Sequence, residues 1–474
     1  MSIPLQLPYA RRDVGYRAAV VLSLTSAAAA ALFVLVHWSI AVFGALVLLI
    51  LAAFASDRFV LFIVFLTPLS WVLSADLPVR DVMTSARLVF VVGFFLGRLF
   101  RGQLRFRHLL VSTVSKASLL FVVAASLSVL FGTEGWTHES ARTMTRLISY
   151  VAFYFFVLAW ADSEERVRKL ATLLFASTIV VAAFGIFQEI VGGYTSLWLF
   201  LNPPDEGFVP WNNRVPSFLS YTNSLAGYLN LILPFALGCY AIGSSGEWKK
   251  LGAWTLVLGG ITLGLTQSRG GLVAFGCALA LAIFYFVESW RKQLVLLAGL
   301  LVLASGFYAL GGVLSPTHLG EIGDATGASR LLFWATAWDL WVHSPVFGVG
   351  FGNFQMLYGS YIHVSWIPEG QFGVHNLYLQ LLSETGLIGF LAFVLLAFFA
   401  VREARRQLRS KDSFNKVLGF GIIGMIATLF VHGFVDFVVE VSPQFGTLFW
   451  TLLALLAANV AINRPVAPGL KPGL

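Results

Sequence analysis

The chain has 474 residues and a net charge of +8, and 58% of its residues are hydrophobic while 11% are charged. Because about a quarter of the residues in soluble globular proteins are charged, this composition excludes a soluble fold. It predicts an all-α polytopic membrane protein, since the apolar runs are long enough to cross a bilayer as helices.

Fourteen apolar runs could each cross a hydrocarbon core of roughly 30 Å as a helix. Several runs are short or adjoin one another, and Gly-rich breaks could turn a pair into a re-entrant hairpin, so twelve spans is the alternative. Either even number places both termini on the same side of the membrane. In chain order the runs lie near 17–37, 38–55, 58–74, 85–100, 117–132, 144–162, 167–191, 219–243, 250–267, 269–288, 293–313, 375–401, 416–440 and 444–463.

The basic residues predict the orientation, because Lys and Arg accumulate in cytoplasmic loops. A cytoplasmic N-terminus places 24 of the 31 Lys and Arg residues inside, so topology explains the positive charge and we expect no nucleic-acid partner. Arginine presents a planar fork of donors that suits phosphate and carboxylate, so an all-arginine outer set indicates anion binding, with snorkelling or ion pairing as the alternative. The outer arginines are Arg80, Arg87, Arg142, Arg146, Arg214, Arg269 and Arg330.

We expect one integral membrane domain in three parts. These parts are N-terminal transmembrane helices (1–313), an outer loop region with short amphipathic helices (314–374) and C-terminal transmembrane helices (375–474). Connections are short except for two on the outer face, near 192–218 and 314–374. Because connections of this length are usually functional or disordered, we expect the functional site beside them.

The second long loop contains a predicted helix over 329–341, with Ser329 as its N-cap. Trp334, Trp338 and Trp341 recur at i, i+4 and i+7 and form an aromatic stripe on this helix. Such a stripe is typical of a helix that lies on the bilayer surface. It also suits the wall of a site for a lipid-borne substrate, and the two interpretations are compatible.

Three of the outer arginines lie near predicted helix starts. Arg269, in Thr266–Gly271, precedes a helix together with two glycines, and a helix N-terminus of this kind suits an anion. Arg330 lies in the first turn of the tryptophan helix, and Arg214 ends the first long loop. This set predicts a phosphate-bearing substrate, while each arginine taken alone could be structural.

A polar stripe begins the run at 375–401. Asn376, Gln380 and Glu384 are spaced i, i+4, i+8 on one helix face, whereas His375 lies about 180° from Glu384. Any carboxylate partner of His375 is therefore expected from another segment. Because a histidine can accept a proton at neutral pH, it can act as a general base, and we expect proton transfer at this position.

The run at 416–440 offers the partner, because His432, Asp436 and Glu440 recur every four residues near its outer end. Ionisable groups within a membrane cost about 2.5 to 3.5 kcal/mol each on insertion scales, so their presence indicates function. The alternative is polar bonding between packed helices.

Other chemistries lack support. The sequence has no HExxH, CxxC, P-loop or GxSxG motif, which argues against metalloprotease, zinc, ATPase and serine-hydrolase functions. The glycines of 345–354 are interpreted as a tight turn, because no strand precedes them as in a dinucleotide loop. Cys239 and Cys277 lie inside predicted spans, so we expect no disulfide framework.

These segments resemble the O-antigen ligase and polymerase superfamily of bacterial inner-membrane glycosyltransferases. The resemblance covers about residues 210–440, and its order, spacing and sidedness agree. One departure is Thr222, where related sequences often have proline before the asparagine, which puts the role of Asn223 in question. The matching segments are TQSRGG at 266–271, SRLLFWATAWDLWVHSPVFGVGFGNF at 329–354, HNLYLQLLSETGLIGF at 375–390 and, more weakly, NRVPSFLSYTN at 213–223.

The resemblance implies transfer of a glycan from undecaprenyl diphosphate to an acceptor hydroxyl on the periplasmic face, without nucleotide sugar, metal or other cofactor. It implies that Arg214, Arg269 and Arg330 bind the diphosphate. It assigns acceptor activation to His375 and places the family aspartate at Asp436. Supporting roles are expected for the neighbouring polar residues Asn223, Asn376, Gln380, Glu384 and His432.

The acceptor distinguishes two enzymes of this superfamily. A ligase uses lipid A-core in lipopolysaccharide biosynthesis, whereas a polymerase uses a second lipid-linked repeat. The long loop at 314–374 resembles that of ligases, so an O-antigen ligase is expected. Because polymerases tend to have two comparable loops, the loop at 192–218 leaves a polymerase as the alternative. A protein O-glycosyltransferase is a further alternative, and so is a lipid-glycan flippase, which predicts ionisable groups through the bilayer midplane.

Overall fold

The computed structural model describes residues 57–66, 82–103, 109–190, 214–219, 221–243, 246–314, 325–361, 373–436 and 443–463. All regular structure within these ranges is helical. The helices are α1 Asp57–Leu66, α2 Val82–Phe100, α3 Thr113–Phe131, α4 His138–Trp160, α5 Glu164–Ile190, α6 Thr222–Ile242, α7 Gly246–Leu265, α8 Arg269–Phe286, α9 Trp290–Leu314, α10 Ala325–His343, α11 Phe354–Tyr361, α12 Leu377–Leu408, α13 Ser413–His432 and α14 Pro443–Asn463.

Eight of the described helices are long and apolar enough to cross a membrane, namely α3, α4, α5, α6, α8, α12, α13 and α14. The prediction of an all-α, multi-pass membrane protein is therefore confirmed. The first two predicted spans, 17–37 and 38–55, lie outside the described residues, as does most of the loop at 192–218. The total of twelve or fourteen spans stays a prediction.

Burial separates central from peripheral helices. In α14 and α6, 83% and 78% of the apolar window is buried within the described structure, against 22% in α8. Glycines allow the close contact between α6 and α13: a Cβ at Gly424 would lie 2.5 Å from Pro234, and one at Gly421 would collide with the ring of Phe235. Small residues of this kind bring helix backbones together in membranes.

Helix α12 is interrupted at Gly386, where φ is +61° and ψ is −166°. The connection between α10 and α11 fills the break with its own backbone. Leu387 donates its N–H to the carbonyl of Pro345 at 2.8 Å, and Val349 donates to the carbonyl of Ser383, also at 2.8 Å. Since unpaired backbone groups are costly in a membrane, this pairing makes the interruption tolerable.

Replacing Gly386 by alanine is expected to destabilise the fold. A positive φ combined with this extended ψ is open essentially only to glycine and costs another residue about 1–3 kcal/mol, and a Cβ would also collide with the carbonyl of Val346. We expect a lower midpoint of thermal unfolding in detergent, followed by size-exclusion fluorescence. The matched control is Gly276→Ala in α8, where a Cβ would meet nothing within 4 Å. Equal midpoints for the two variants would contradict this account of the break.

Two predicted boundaries were wrong. Helix α10 begins at Ala325 rather than after Ser329, because the preceding Ala–Thr–Gly–Ala segment contains no proline and continues the helix. Helix α13 ends at His432, where Gly433 is the C-cap, so Asp436 lies in the following turn and not on a helical stripe. Glu440, the third member of that predicted stripe, lies outside the described residues.

The tryptophan stripe of α10 is divided between two environments. Trp334 and Trp341 are partly buried, whereas Trp338 is 53% exposed and meets Trp341 edge to face at 4.9 Å between ring centres. Leu331 and Val342 are exposed beside it. The face of α10 that carries Leu331, Trp338 and Val342 is therefore apolar, as expected of a helix that contacts the bilayer.

Candidate functional site

The candidate site lies where α12 begins and α13 ends, and we call this the site end of the bundle. Asn376 caps α12 by accepting hydrogen bonds from the N–H groups of Tyr378 and Leu379, and its Nδ2 donates to the carbonyl of Phe434 at 3.0 Å. Leu377 also donates its N–H to the carbonyl of Gly433 at 2.7 Å. These bonds fix the start of α12 against the turn that follows α13.

His375 precedes this cap in a left-handed conformation with φ of +53°, which few residues other than glycine adopt. Its Nδ1 lies 3.2 Å from Oδ1 of Asp436. The histidine side chain is 32% exposed and that of Asp436 only 8%. Because an ionised carboxylate only accepts, Nδ1–H must donate to it, which leaves Nε2 of the neutral ring as a proton acceptor.

The surroundings of Asp436 favour its ionised form. Burial alone would raise its pKa, but the hydrogen bond from His375, the charges that His375 and His432 carry when protonated, and the charge of Arg330 outweigh burial and lower the pKa to about 2. Asp436 can therefore orient the ring of His375 and stabilise it when it gains a proton.

Arg330 lies on α10, partly buried, and is close enough for its charge to act on both His432 and Asp436. The outer loop region thus contributes a guanidinium to the surroundings of the His375–Asp436 pair. Arg330 is distant from His375 and Asp436 in sequence, but it lies near them because α10 packs on α12.

Arg269 is the first residue of α8, which Ser268 caps by accepting from the N–H of Gly271. A Cβ at Gly270 would lie 3.0 Å from the ring of His432. The first turn of α8 therefore packs against the end of α13, next to the turn that holds Asp436. This arrangement places the N-terminus of α8, with its partial positive charge, at the site end.

Arg214 joins two segments of the protein. Its Nε donates to the carbonyl of Thr266 at 2.8 Å, and its Nη2 donates to Oδ1 of Asn223 at 2.9 Å. The guanidinium thus links the chain before α6 to the turn before α8, which carries Arg269. Because at least two of its donors bind groups of the protein itself, we expect Arg214 to have a positioning role in addition to its predicted role in anion binding.

The segment that carries Arg214 is held by Gln188 on α5. Oε1 of Gln188 accepts from the N–H of Ser217 at 2.9 Å, and the hydroxyl of Ser217 donates to the carbonyl of Val181 at 2.6 Å. Ser217 adopts φ of +54°, and Phe218 beside it stacks on Phe184 at 4.0 Å. Sequence reasoning missed Gln188, although a glutamine near the end of an apolar run was the available signal.

Replacing Gln188 by leucine is expected to release the segment that carries Arg214 and to lower the midpoint of thermal unfolding. A buried Ser217 N–H without its acceptor costs about 1–3 kcal/mol, enough to favour another position of the loop. The test is thermal unfolding of the purified variants in detergent. Gln293→Leu is the control, since Gln293 donates to the carbonyl of Val287 at the opposite end of α8. Equal midpoints of both variants would contradict the positioning role.

Two side chains of the polar stripe on α12, Gln380 and Glu384, accept hydrogen bonds from backbone N–H groups of neighbouring loops. Oε1 of Gln380 accepts from the N–H of Val374 at 2.8 Å, and Oε1 of Glu384 accepts from the N–H of Phe354, the first residue of α11, at 3.1 Å. Both side chains are fully buried. Their contacts fix the loops around His375.

A cavity lies beneath the His375–Asp436 pair, bounded by His432, Asp436, Leu377 and Asn230. Asn230 of α6 donates from Nδ2 to the carbonyl of Gly271 at 2.9 Å. The backbone carbonyl of Asn230 also accepts from the hydroxyl of Thr428 at 2.8 Å. These bonds join α6, α8 and α13 below the site. Sequence reasoning missed Asn230, whose signal was an amide within an apolar run.

Comparison with known proteins finds two similarities. Residues 254–394 match the family model described as O-Antigen ligase. The chain is also 27% identical over 258 residues to the Exopolysaccharide production protein ExoQ of Rhizobium meliloti (strain 1021), which covers 51% of this chain and 57% of that relative. The chain thus spans little more than half the length of this relative. The family match contains Arg269, Arg330 and His375.

Proposed function

We propose that this chain, whose residues 254–394 match the O-Antigen ligase family model, transfers a glycan from undecaprenyl diphosphate to a hydroxyl of lipid A-core. The observation that carries the proposal is the bond of 3.2 Å between His375 and Asp436 at a helix start, with the charge of Arg330 acting on the same aspartate. This arrangement joins a general base to an anion-binding surface.

In the proposed reaction, Nε2 of His375 accepts the proton of the acceptor hydroxyl as its oxygen attacks the anomeric carbon of the donor glycan. The bond between that carbon and the diphosphate oxygen breaks, and undecaprenyl diphosphate leaves with the bonding electrons. Asp436 stabilises the imidazolium that forms, as a buried carboxylate does beside a catalytic histidine. The glycosidic bond is complete once His375 returns its proton to solvent.

Arg269 and Arg330 are proposed to bind the diphosphate, because guanidinium groups suit phosphate oxygens and α8 adds the positive end of its dipole. Arg214 is proposed to share this role while holding the Arg269 turn, with Asn223 as its partner. These cations supply the positive charge that stabilises the leaving group. His432 is proposed to support Asp436 by position, because its carbonyl accepts from the N–H of Asp436 at 3.0 Å and its ring packs against the first turn of α8.

The test is a reconstitution in proteoliposomes with a labelled lipid-linked glycan. One arm supplies lipid A-core as acceptor, a second supplies another lipid-linked unit, and a third adds EDTA to the first. We expect transfer to lipid A-core that EDTA does not abolish. Transfer only in the second arm would replace the ligase by a polymerase, and rescue of an EDTA-inhibited enzyme by Mg²⁺ would refute metal independence.

A polymerase is the second candidate, and the relative named for exopolysaccharide production favours it. The length of the loop at 314–374 favours a ligase. A flippase is less well supported, because the His375–Asp436 pair lies at helix ends rather than at the middle of the spans. Movement of lipid-linked glycan across the liposome membrane without transfer in either arm would establish the flippase instead.

The proposed location is the bacterial inner membrane, with the site end facing the periplasm and both termini in the cytoplasm. A reporter enzyme active only in the periplasm, fused after residue 360, is expected to be active, because the loop at 314–374 is predicted to be outside. A fusion after residue 410, between α12 and α13, should be inactive and serves as the control. Reversed activities of the two fusions would overturn the proposed orientation.

A further inference from the structure

Helix α12 is longer than a bilayer crossing requires. Its 32 residues extend about 48 Å at a rise of 1.5 Å per residue, whereas a hydrocarbon core is roughly 30 Å thick. The helix begins at the site end, so its last turns reach the opposite end of the bundle, which we call the far end. These turns and the C-cap carry four exposed arginines, namely Arg402, Arg405, Arg406 and Arg409.

The four arginines share one face of α12, and we call them the arginine stripe. At 3.6 residues per turn they lie within about 100° of one another around the helix axis. Hydrogen bonds fix the side of the helix that faces the bundle. Oε1 of the buried Glu403 accepts from the N–H of Thr113 at 3.0 Å, and Oε1 of the buried Gln407 accepts from Nδ2 of Asn459 at 3.1 Å. The arginine stripe is therefore held facing away from the protein.

The arginine stripe continues an exposed apolar face of the same helix. Leu387, Leu391 and Phe398 are exposed and lie in the same sector of α12 as the arginines. From Leu387 to Phe398 this face is apolar over about 17 Å, and the first arginine follows one turn later. A phospholipid of the leaflet at the far end has the same order of parts, because its acyl chains end in a phosphate at the membrane surface.

Acidic partners are missing from the arginine stripe, since none of its guanidinium groups pairs with a carboxylate within the described residues. The two acids closest in sequence are engaged elsewhere. Glu403 binds Thr113, and Asp412 caps α13 and accepts from Arg168 at 3.0 Å. Topology explains why the far end is positive, but it does not require four arginines on one face without carboxylates. Planar guanidinium forks in this arrangement favour phosphate as the ligand.

We infer that the arginine stripe binds the head-group phosphates of anionic glycerophospholipids in the leaflet at the far end, with their acyl chains along Phe398 and Leu391. Basic clusters directly beyond a membrane helix attract anionic lipid in this way. From Arg402 to Arg409 the stripe extends about 10 Å along the axis, which is room for two phosphates. Cardiolipin, which has two phosphates, should therefore bind more tightly than phosphatidylglycerol, which has one. This site is independent of the proposed transfer reaction.

The test is equilibrium binding of fluorescent cardiolipin to the purified protein in detergent. A variant with all four arginines of the stripe replaced by glutamine is expected to bind about 100-fold more weakly. A variant with four lysines keeps the charge but loses the forks, and its affinity should fall about tenfold. The matched control removes four exposed charges from the same end and should bind normally; it combines Lys249→Gln, Lys250→Gln, Arg291→Gln and Lys292→Gln.

Equal affinity of the four-glutamine variant and the control variant would overturn the inference. If both bound normally, an acidic protein would replace lipid as the partner of the stripe, and if both bound weakly, the attraction would be to the far end as a whole. Displacement of cardiolipin by inorganic phosphate, or equal binding of uncharged phosphatidylcholine, would also overturn it. Cardiolipin should raise the thermal unfolding midpoint of the unmodified and control proteins but not of the four-glutamine variant. Should that variant fail to fold, unchanged affinity of the four-lysine variant would refute phosphate recognition by the arginine forks.

Discussion

Replacing His375 by alanine is expected to leave insertion and folding intact and to slow glycan transfer by about 10² to 10⁴-fold. A sugar hydroxyl is a poor nucleophile until its proton is removed in the transition state, and a positioned base contributes a factor of this size. His375 has the required geometry, because Asp436 binds its Nδ1 and the side chain is one-third exposed, at 32%. The measurement is kcat with saturating donor and acceptor.

The chain offers a matched control in a second histidine–aspartate pair. Nδ1 of His343 lies 3.5 Å from Asp339 on α10, and the two side chains are 71% and 50% exposed. His343→Ala is expected to transfer glycan at the normal rate, since this pair is solvated and lies on a helix surface. Near-normal transfer by His375→Ala would remove the catalytic assignment. Loss of donor binding in that variant would move His375 to the diphosphate site.

The positions of the helices could be predicted from the sequence because apolar runs of helix length have few alternatives in a membrane. The predicted run at 444–463 and helix α14, Pro443–Asn463, differ by one residue. An error arose where a single residue ended a helix inside an apolar run. Gly433 ends α13 eight residues before the apolar pattern at 416–440 does. The run alone carries no information about such caps.

The relation between His375 and a carboxylate from another segment was also predictable, from helical angles. The structure reaches the same pair by a different route, because neither residue is on a helix: His375 precedes α12 and Asp436 follows α13. Asn376 and Gly433 bring the two turns together. Sequence reasoning identified the partner because the polar residues are few, while the geometry depended on capping bonds across segments.

The rest could not be predicted, since it depends on contacts between distant residues. Nothing local to Gly386 shows that the chain around Val346 enters the break in α12. The stripe of Gln380 and Glu384 was visible, but its purpose became clear only with the backbone N–H groups that it binds. Polar residues in a membrane protein therefore predict that a partner exists, without distinguishing a substrate from a loop.

Arg269→Lys and Arg330→Lys are expected to raise the KM for the lipid-diphosphate donor about 10 to 100-fold. Lysine keeps the charge but loses the planar fork that binds two phosphate oxygens, and a hydrogen bond to a charged group contributes about 1.5 to 3 kcal/mol. At 1.4 kcal/mol for each factor of ten, this corresponds to the stated range. The control is Arg142→Lys, whose guanidinium binds Glu139 and is expected to be dispensable for transfer.

Arg214→Lys should behave differently, and the difference separates binding from positioning. Arg214 uses Nε and Nη2 to reach Thr266 and Asn223, which a single ammonium cannot reproduce in the same geometry. This variant should therefore lower the thermal unfolding midpoint as well as donor affinity, whereas the Arg269 and Arg330 variants should unfold like the unmodified protein. Three lysine variants with normal donor KM would leave the arginines only a structural role and remove the proposed diphosphate site.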